Sequence, residues 1–333
     1  MNNGIRRIEF VDFAKGFAIL TIILFHYSQP LQYGQLFSQA IVFGGTGIHL
    51  FFMLSGFGLN MKPPGNALKF YRRRFSRILI PYFIFVTLAF AVSEFTPIYR
   101  EFGWREWLSH ILLYKMFFED YIGSFGYHLW FISTLIQFYL LFPLLYKLKE
   151  KAGNVNFLIL CCGISLIYIL YLGISGKGDL RTWNSFFPRY LWEFGLGMFL
   201  ASMKNNQAWF TKKTIWYLIA AISGLIIMAA MSLKMGQFGR VLNDFPAFAA
   251  YLSLTIFIYR AGLLPVLSFV NKGVLFVSQW SYELYLVHFI VFTTFLYLMT
   301  AGGMIYNLLW ILPVLLLSLV TAYLFHRFIK ILN

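Results

Sequence analysis

Residues 12–30, DFAKGFAILTIILFHYSQP, form an apolar run long enough to cross a bilayer, yet they include Asp12, Lys15 and His26. Charged side chains are costly inside a membrane and normally face the interior of a helix bundle or a wet cavity. On an α-helix Lys15 and His26 share a face, with about 16 Å between them along the axis. Asp12 and Lys15 are i,i+3 neighbours that can pair. The stretch therefore predicts a membrane helix with one polar stripe.

The composition of the whole chain extends this prediction. Of the 333 residues, 60% are apolar and only 12% are charged, which is more apolar than a soluble domain. Apolar runs near spanning length recur without strand alternation, which predicts an all-α integral membrane protein, a polytopic bundle of about ten transmembrane helices. We place the spans at 11–29, 40–59, 77–95, 126–146, 157–173, 187–203, 214–233, 243–259, 274–295 and 303–326.

The net charge of +15 is explained by its distribution along the chain. With a cytoplasmic N-terminus, the outer segments hold seven basic residues, which are Arg100, Arg105, Lys115, Lys177, Arg181, Lys234 and Arg240. The inner segments hold 18, among them Arg6, Arg7, Lys204 and Lys212. This bias predicts that both termini are cytoplasmic and that the number of spans is even. Membrane lipids are expected partners, and nucleic acid is not.

The chain is predicted to form a single transmembrane domain over residues 1–333, with no fused soluble domain. Its first apolar run has a basic flank like a signal peptide but lacks a small-residue cleavage site, so we interpret it as a retained helix. Cys161 and Cys162 are adjacent and have no cysteine or histidine at metal-ligand spacing. Neither a disulfide framework nor a metal site is predicted.

Residues 44–59, GGTGIHLFFMLSGFGL, contain five glycines, too many for a simple lipid-facing helix. They permit close helix packing, a broken helix or close approach of a ligand to the backbone, and packing is the simplest interpretation for any one of them. His49 and Ser55 add an imidazole and a hydroxyl to the same segment.

Residues 70–82, FYRRRFSRILIPY, place four arginines at the inner end of the third predicted span. Arg73 and Arg77 share a helical face and Arg74 lies close to it; we name these three the arginine cluster. Arginine suits two-pronged recognition of phosphate. Both a phosphate-rich cytosolic ligand and anionic lipid headgroups fit this pattern.

Two further motifs carry polar residues into predicted spans. PRYLWEFGLG (188–197) places Arg189 and Glu193 at i,i+4, where a structural ion pair is the default interpretation. HLWFI (128–132) places His128 and Trp130 at an outer boundary, where an aromatic belt at the membrane interface is the default.

SQWSYELYLVH (278–288) places Tyr282, Glu283, Tyr285 and His288 in the ninth predicted span. A polar cluster of this size indicates a lined cavity, although His288 can equally be a hydrogen-bonded core histidine.

The one long outer connection, residues 96–126, is named here the connecting segment. Within it Trp104, Trp107, Leu108 and Ile111 fall on one helical side, and Arg105, Glu106, Ser109 and His110 fall on the other. This pattern predicts an amphipathic helix lying in the outer interface. A platform for sugar rings is an alternative use of its aromatic residues.

Six motifs resemble, in order, those of the membrane-bound acyltransferase-3 family. The opening RRIEFVDFAKGFAILTIILFH resembles that family's Arg…Asp-x-x-(Arg/Lys)-Gly start with a histidine in the first helix. The other five are GTGIHLFFMLSGFGL, RRFSRILIPY, HLWFI, RYLWEFGLG and SYELYLVH. Each is weak alone, but six in order within a ten-helix pattern are specific.

The resemblance implies transfer of an acyl group from cytoplasmic acyl-CoA, usually acetyl-CoA as co-substrate, to an extracytoplasmic glycan or lipid-linked sugar at the bacterial cytoplasmic (inner) membrane. It implies a catalytic role for His26, together with Asp12 and Lys15 on the same helix. Lys15 departs from the arginine that many members carry and loses the planar fork. The arginine cluster and Ser55 are expected to bind the donor. Supporting positions along a tunnel are Trp130, Arg189, Glu193, Tyr282, Glu283 and His288.

Three questions stay open at the level of the sequence. His26 can act as a general base on the acceptor hydroxyl or can carry the acyl group covalently. Intramembrane Asp, His and Glu residues also fit a proton-coupled transporter or flippase, and a structural or sensor protein is a third reading. The arginine cluster favours the transferase, because a proton-coupled carrier needs no polyphosphate site. A homo-oligomer is compatible with all of these readings.

Overall fold

The computed structural model describes residues 9–203 and 213–332, apart from the side chains at 35, 36, 39, 237 and 240. Arg6, Arg7, Lys204 and Lys212, which contributed to the predicted topology, lie outside the described residues. Across the described residues the chain is helical and contains no strand. This confirms the all-α class, while the sides on which the termini lie stay a prediction.

The α-helices follow one another with short connections. In chain order they are α1 (Glu9–Ser28), α2 (Gln35–Gly44), α3 (Gly47–Asn60), α4 (Ala67–Phe95), α5 (Trp104–Ile111), α6 (Glu119–Ile122), α7 (Trp130–Ala152), α8 (Asn154–Ser175), α9 (Arg181–Asn184), α10 (Leu191–Ser202), α11 (Thr214–Lys234), α12 (Gly236–Leu242), α13 (Asp244–Ala261), α14 (Ser268–Ser278), α15 (Ser281–Ala301) and α16 (Ile311–Leu332). Short 3-10 turns at Tyr127–Leu129 and Phe187–Tyr190 lead into α7 and α10.

Eight helical segments of the described chain are long and apolar enough to cross a membrane. They are Glu9–Ser28, Ala40–Asn60, Ala67–Phe95, Tyr127–Ala152, Asn154–Ser175, Thr214–Lys234, Ser281–Ala301 and Leu308–Leu332. A ninth arises if Asp244–Ala261 and Pro265–Ser278, which bend by 112° at their junction, are one broken span. The structure therefore supports a membrane protein with several spans, and the count of ten stays a prediction.

Three predicted spans differ from the helices observed. The run at 187–203 becomes α10, whose 12 residues extend about 18 Å and fall short of the roughly 30 Å hydrocarbon core. The run at 243–259 becomes α13, which leads into the sharp bend. The run at 274–295 is interrupted between Ser278 and Ser281. Hydropathy reports the apolar content of a segment, whereas bends and interruptions are set by tertiary packing.

The chain divides into two compact units, each described by itself below. The first unit comprises residues 1–54 and 204–281, and the second comprises residues 55–203 and 282–333. This division does not test the prediction of a single transmembrane domain over residues 1–333.

Glycines in the first unit bring helix backbones together around α1. A Cβ on Gly16 would lie 2.2 Å from the Val274 carbonyl oxygen of α14. Cβ atoms on Gly44 and Gly47 would each lie 2.8 Å from a carbonyl oxygen of α1, those of Thr21 and Ala18. The close packing expected of the glycine-rich segment is therefore present, together with a break between α2 and α3.

The second unit contains an equally close contact between α3 and α10. A Cβ on Gly56 would lie 2.1 Å from the Phe194 carbonyl oxygen, so only glycine fits there without movement of the backbone. The Phe138 ring of α7 stacks on the Phe194 ring with centroids 4.4 Å apart. Gly58, two residues on, faces open space.

The connecting segment is folded against α4, and its position relative to a membrane interface stays a prediction. Trp107 Nε1 donates to Thr87 Oγ1 at 3.1 Å, and His110 Nδ1 lies 2.7 Å from the Tyr82 hydroxyl. Helix α5 therefore follows α4 from Thr87 towards Tyr82. Ser109 and His110 of the polar side are buried and find hydrogen-bond partners within the unit, whereas Arg105 is exposed.

Candidate active site

The polar stripe of α1 lies in the first unit and has the predicted helical arrangement. Lys15 Nζ and Asp12 Oδ1 are 3.5 Å apart, and the Asp12 side chain is buried while Lys15 is part-exposed. His26 lies in the last turn of α1 and is half-buried. Because α1 is continuous from Glu9 to Ser28, Lys15 and His26 share one face of it. The structure thus places these three residues on one helix.

Sequence reasoning missed two contacts within the first unit. The Thr21 hydroxyl of α1 is hydrogen-bonded to the Tyr251 hydroxyl of α13. His49 Nε2 lies 3.7 Å from Asp244 Oδ1, which pairs the imidazole of the glycine-rich segment with a carboxylate. Asp244 lies 195 residues after His49, and no local pattern links them.

The arginine cluster occupies the first turns of α4 in the second unit. The Asn66 side chain accepts from the Lys69 amide at 3.0 Å and caps the helix. Helix α4 has 29 residues and extends about 43 Å, which exceeds the roughly 30 Å hydrocarbon core. Arg73 and Arg77 are exposed. The helix is therefore long enough to present its arginine turns beyond the apolar part.

Arg74 differs from its two neighbours because its guanidinium is partly covered. Its Cζ atom lies 6.0 Å from the centroid of the Phe70 ring. The Arg74 Nε atom is buried and makes no hydrogen bond with any described residue. The buried Tyr139 of α7 interacts electrostatically with both Arg74 and Arg77. The cluster thus has an exposed side and a side that faces α7.

The SYELYLVH motif of α15 meets α4 next to this cluster. The Tyr282 hydroxyl donates to the Ile78 carbonyl oxygen at 2.7 Å, one residue beyond Arg77. Glu283 Oε1 lies 2.7 Å from His326 Nδ1 of α16, a pair that sequence reasoning missed. Tyr282 is therefore brought close to the arginine end of α4, and Glu283 is paired with α16.

A pair of buried imidazoles joins α15 to the turn before α7. The His128 and His288 rings have centroids 4.8 Å apart, and the Tyr285 hydroxyl donates to the His128 carbonyl oxygen at 2.6 Å. His288 Nδ1 lies 2.8 Å from the Tyr285 carbonyl oxygen. Because a carbonyl oxygen only accepts, Nδ1 carries the proton and Nε2 holds the lone pair of the neutral ring.

The turn before α7 is shaped around His128. Gly126 has φ 127°, and a Cβ there would lie 2.6 Å from His128 Cε1, so both the backbone and the ring require glycine. His128 and Trp130 are buried, with 4% and 8% exposure. The default interpretation of HLWFI as an aromatic belt at a membrane interface is therefore wrong.

The remaining predicted positions are dispersed over the second unit. Trp130 stacks on Tyr190 with centroids 5.7 Å apart. Arg189 Nη1 donates to the Asn184 side chain, and Glu193 is fully buried in α10. Ser55 is half-buried on α3.

A buried cation in the connecting segment was also missed. Lys115 is 1% exposed, and its Nζ donates to the Ile122 carbonyl oxygen at 3.4 Å. Burial lowers the pKa of Lys115 to about 7. Burial, together with the Lys115 charge, holds the pKa of His110 well below its ordinary value, although the bond to Ser124 opposes this effect. His110 is therefore neutral near pH 7.

Comparison with known proteins assigns the family. A family model described as an acyltransferase domain matches residues 8–327, nearly the whole chain. The acyltransferase MdmB of Streptomyces mycarofaciens is 24% identical over 304 residues, which cover 83% of this chain and 76% of that protein. No solved structure matches the chain. The family match over almost the full length shows that this membrane protein is an acyltransferase and belongs to the acyltransferase-3 family.

Proposed function

We propose that this acyltransferase moves an acyl group, most simply acetyl from acetyl-CoA, from the cytoplasmic side to a hydroxyl of an extracytoplasmic carbohydrate or other envelope acceptor. We place the protein in the bacterial cytoplasmic membrane, with both termini on the cytoplasmic side. Membership of an acyltransferase family sets the transporter and sensor readings aside.

The observation that carries the proposal is the short distance along α4 between the arginine cluster and the contact with the connecting segment. His110 of the connecting segment is hydrogen-bonded to Tyr82 of α4. Tyr82 lies five residues after Arg77, which is about 7.5 Å along the helix axis. In the predicted topology the arginine cluster is cytoplasmic and the connecting segment belongs to the other side. Groups arriving from opposite sides would then be separated by much less than a bilayer.

The donor is assigned to the arginine cluster on chemical grounds. Coenzyme A carries phosphates, and guanidinium groups bind phosphate oxygens with two parallel hydrogen bonds. The exposed Arg73 and Arg77 are open to the solvent, and the Arg74 Nε has donor capacity left among the described residues. Ser55, half-buried on α3, is proposed as a further donor contact.

His26 is assigned the chemical step, with two routes that balance. As a general base, it removes the acceptor hydroxyl proton while the oxygen attacks the thioester carbonyl, and the proton passes to the departing thiolate. As a relay, its ring nitrogen displaces the thiolate, which takes up the ring proton, and the acceptor hydroxyl then displaces the imidazole and returns a proton to the ring. In either route, Asp12 and Lys15 form the polar part of α1 nearer its N-terminus than His26. Both routes end in an ester and free coenzyme A.

The arginine assignment is tested by donor affinity with a matched control on the same helix. Arg74→Ala and Arg77→Ala are expected to weaken acetyl-CoA binding by roughly tenfold each, a typical loss for a charge-assisted contact. Arg72 is exposed and lies on another side of α4, so Arg72→Ala is expected to bind normally. Acetyl-dephospho-CoA should bind the wild type more weakly than acetyl-CoA does. The arginine substitutions should also weaken its binding less than they weaken the binding of acetyl-CoA. Normal affinity in both variants would point to lipid anchoring instead.

The His26 assignment is tested in cells and in purified protein. Mass spectrometry of the cell envelope should find an O-acetyl group with the wild type and not with His26→Ala at equal membrane abundance, since loss of a general base costs roughly 10²–10⁴-fold. Rapid quenching with labelled acetyl-CoA, without acceptor, separates the routes: label on the His26 peptide indicates the relay. Normal envelope acetylation by His26→Ala would refute the assignment.

A further inference from the structure

The chain between α8 and α10 carries an arginine that lies against two aromatic rings of the second unit. Arg181 Cζ lies 4.8 Å from the centroid of the Tyr127 ring and 4.9 Å from that of the Trp130 ring. Arg181 Nε donates to the Tyr127 hydroxyl at 2.7 Å. Contacts of a guanidinium with aromatic faces are favourable, and the hydrogen bond fixes its rotation. The head group is therefore oriented before any ligand arrives.

The backbone at Arg181 is anchored as firmly as its side chain. Glu119 Oε1 accepts from the Arg181 amide at 2.6 Å, and Glu119 Oε2 accepts from the amide and the hydroxyl of Thr182 at 2.8 and 2.7 Å. Burial alone would raise the pKa of Glu119, but the bonds from Thr182 and Arg181 and the Arg181 charge lower it. The ionised carboxylate is thus engaged in holding the loop and not in covering the Arg181 donors.

The outer edge of the Arg181 guanidinium keeps its donors. Within residues 9–203 and 213–332, neither Nη atom of Arg181 makes a hydrogen bond or a salt bridge. A planar guanidinium that packs against aromatic rings and is bonded through Nε offers its Nη edge to a carboxylate or a phosphate, which accept two parallel hydrogen bonds. The same loop holds a second cation, Lys177, whose Nζ lies 3.8 Å from the Trp183 ring centroid, and one acidic residue, Asp179.

The position of Arg181 connects it with the acceptor side of the reaction. Tyr127 and Trp130 flank His128 in the sequence, at the start of α7, and the predicted topology places this end of α7 towards the outside. We infer that Arg181 binds an oxyanion, a carboxylate or phosphate, of the extracytoplasmic acceptor and so selects acidic acceptors. The inference rests on the proposed function, because that function requires an acceptor to enter from this side.

The test measures binding without an acyl donor, in the full-length protein embedded in nanodiscs of zwitterionic lipid. The probes are two matched pairs, methyl β-glucuronide with methyl β-glucoside, and glycerol 1-phosphate with glycerol, followed by ligand-observed NMR. The wild type is expected to prefer one anionic probe over its neutral partner by roughly tenfold. The pair that shows the preference distinguishes a carboxylate from a phosphate ligand.

Two arginine variants locate the site. R181Q is expected to abolish the preference, and R100Q, which changes an exposed arginine of the connecting segment, is expected to keep it. If R181Q fails to fold, R181K decides: it keeps the charge but loses the planar fork, so the preference should fall several-fold. Equal binding within both pairs, no binding of either anionic probe, or an unchanged preference in the folded Arg181 variant would overturn the inference.

Acetylation of the cell envelope by the wild type is measured separately, by mass spectrometry. An anion preference that depends on Arg181, without any envelope acetylation, would leave the oxyanion site in place and refute the proposed function. Envelope acetylation without an anion preference would do the reverse.

Discussion

Replacing Lys115 by methionine is expected to stabilise the protein and to flatten its response to pH. Lys115 is 1% exposed, and burial lowers its pKa from 10.5 to about 7. The folded protein therefore binds fewer protons than the unfolded chain between these two values. Stability rises with pH across this window, is lowest below pH 7, and carries no penalty from Lys115 above pH 10.5. Methionine has a similar length and no charge, so it removes this dependence.

The size of the effect follows from the two pKa values. At about 1.4 kcal/mol per pKa unit, the largest penalty from Lys115 is about 5 kcal/mol. Linkage gives a penalty of about 4 kcal/mol at pH 7 and about 2 kcal/mol at pH 9. The wild type should therefore gain about 2 kcal/mol between pH 7 and pH 9 from this one group. These figures are upper bounds, because water entry and relaxation reduce the penalty for a buried charge.

The assay is equilibrium unfolding in mixed micelles at pH 7 and pH 9, followed by far-UV circular dichroism. Lys115→Met should unfold at higher denaturant than the wild type at pH 7, and the difference should shrink at pH 9. Lys234→Met, which changes an exposed lysine at the end of α11, serves as the control and should leave the pH response unaltered. Parallel pH responses of Lys115→Met and the wild type would show that Lys115 is not a buried cation.

Two further substitutions probe packing in the second unit. Gly56→Ala is expected to cost about 1–3 kcal/mol in unfolding free energy, because its Cβ would lie 2.1 Å from the Phe194 carbonyl oxygen. Gly58→Ala, in the same helix but facing open space, should gain about 0.5–1 kcal/mol, and equal effects of the two would contradict the packing. Tyr285→Phe removes the 2.6 Å hydrogen bond to the His128 carbonyl oxygen and should cost about 1–3 kcal/mol by the same unfolding assay, so an unchanged stability would speak against that bond.

Local pattern was sufficient to predict the helical class and several features of the site. The 11-residue spacing of Lys15 and His26 is a property of any helix, and α1 is continuous over both. Close packing at Gly44, Gly47 and Gly56 was expected from their density, because small residues let helix backbones approach.

Contacts between distant segments were beyond the reach of the sequence. The polar side of α5 looked solvent-facing, yet His110 meets Tyr82, which precedes it by 28 residues. Lys115 resembled an ordinary outer lysine because hydropathy scores each residue without its neighbours. HLWFI looked like an interfacial belt for the same reason, whereas His128 is packed against His288, 160 residues later. Burial of a polar group depends on partners that no local window contains.

The spacing of the α15 motif has a structural consequence for the reaction. Tyr282 and Tyr285 are i,i+3 neighbours on one helix, and their hydroxyls reach different partners. One donates to the Ile78 carbonyl oxygen beside the arginine cluster, and the other donates to the His128 carbonyl oxygen at the start of α7. Less than one helical turn therefore ties the arginine end of α4 to the beginning of α7. Loss of the Tyr282 hydroxyl would loosen the contact of α15 with α4, and loss of the Tyr285 hydroxyl would loosen its contact with the start of α7.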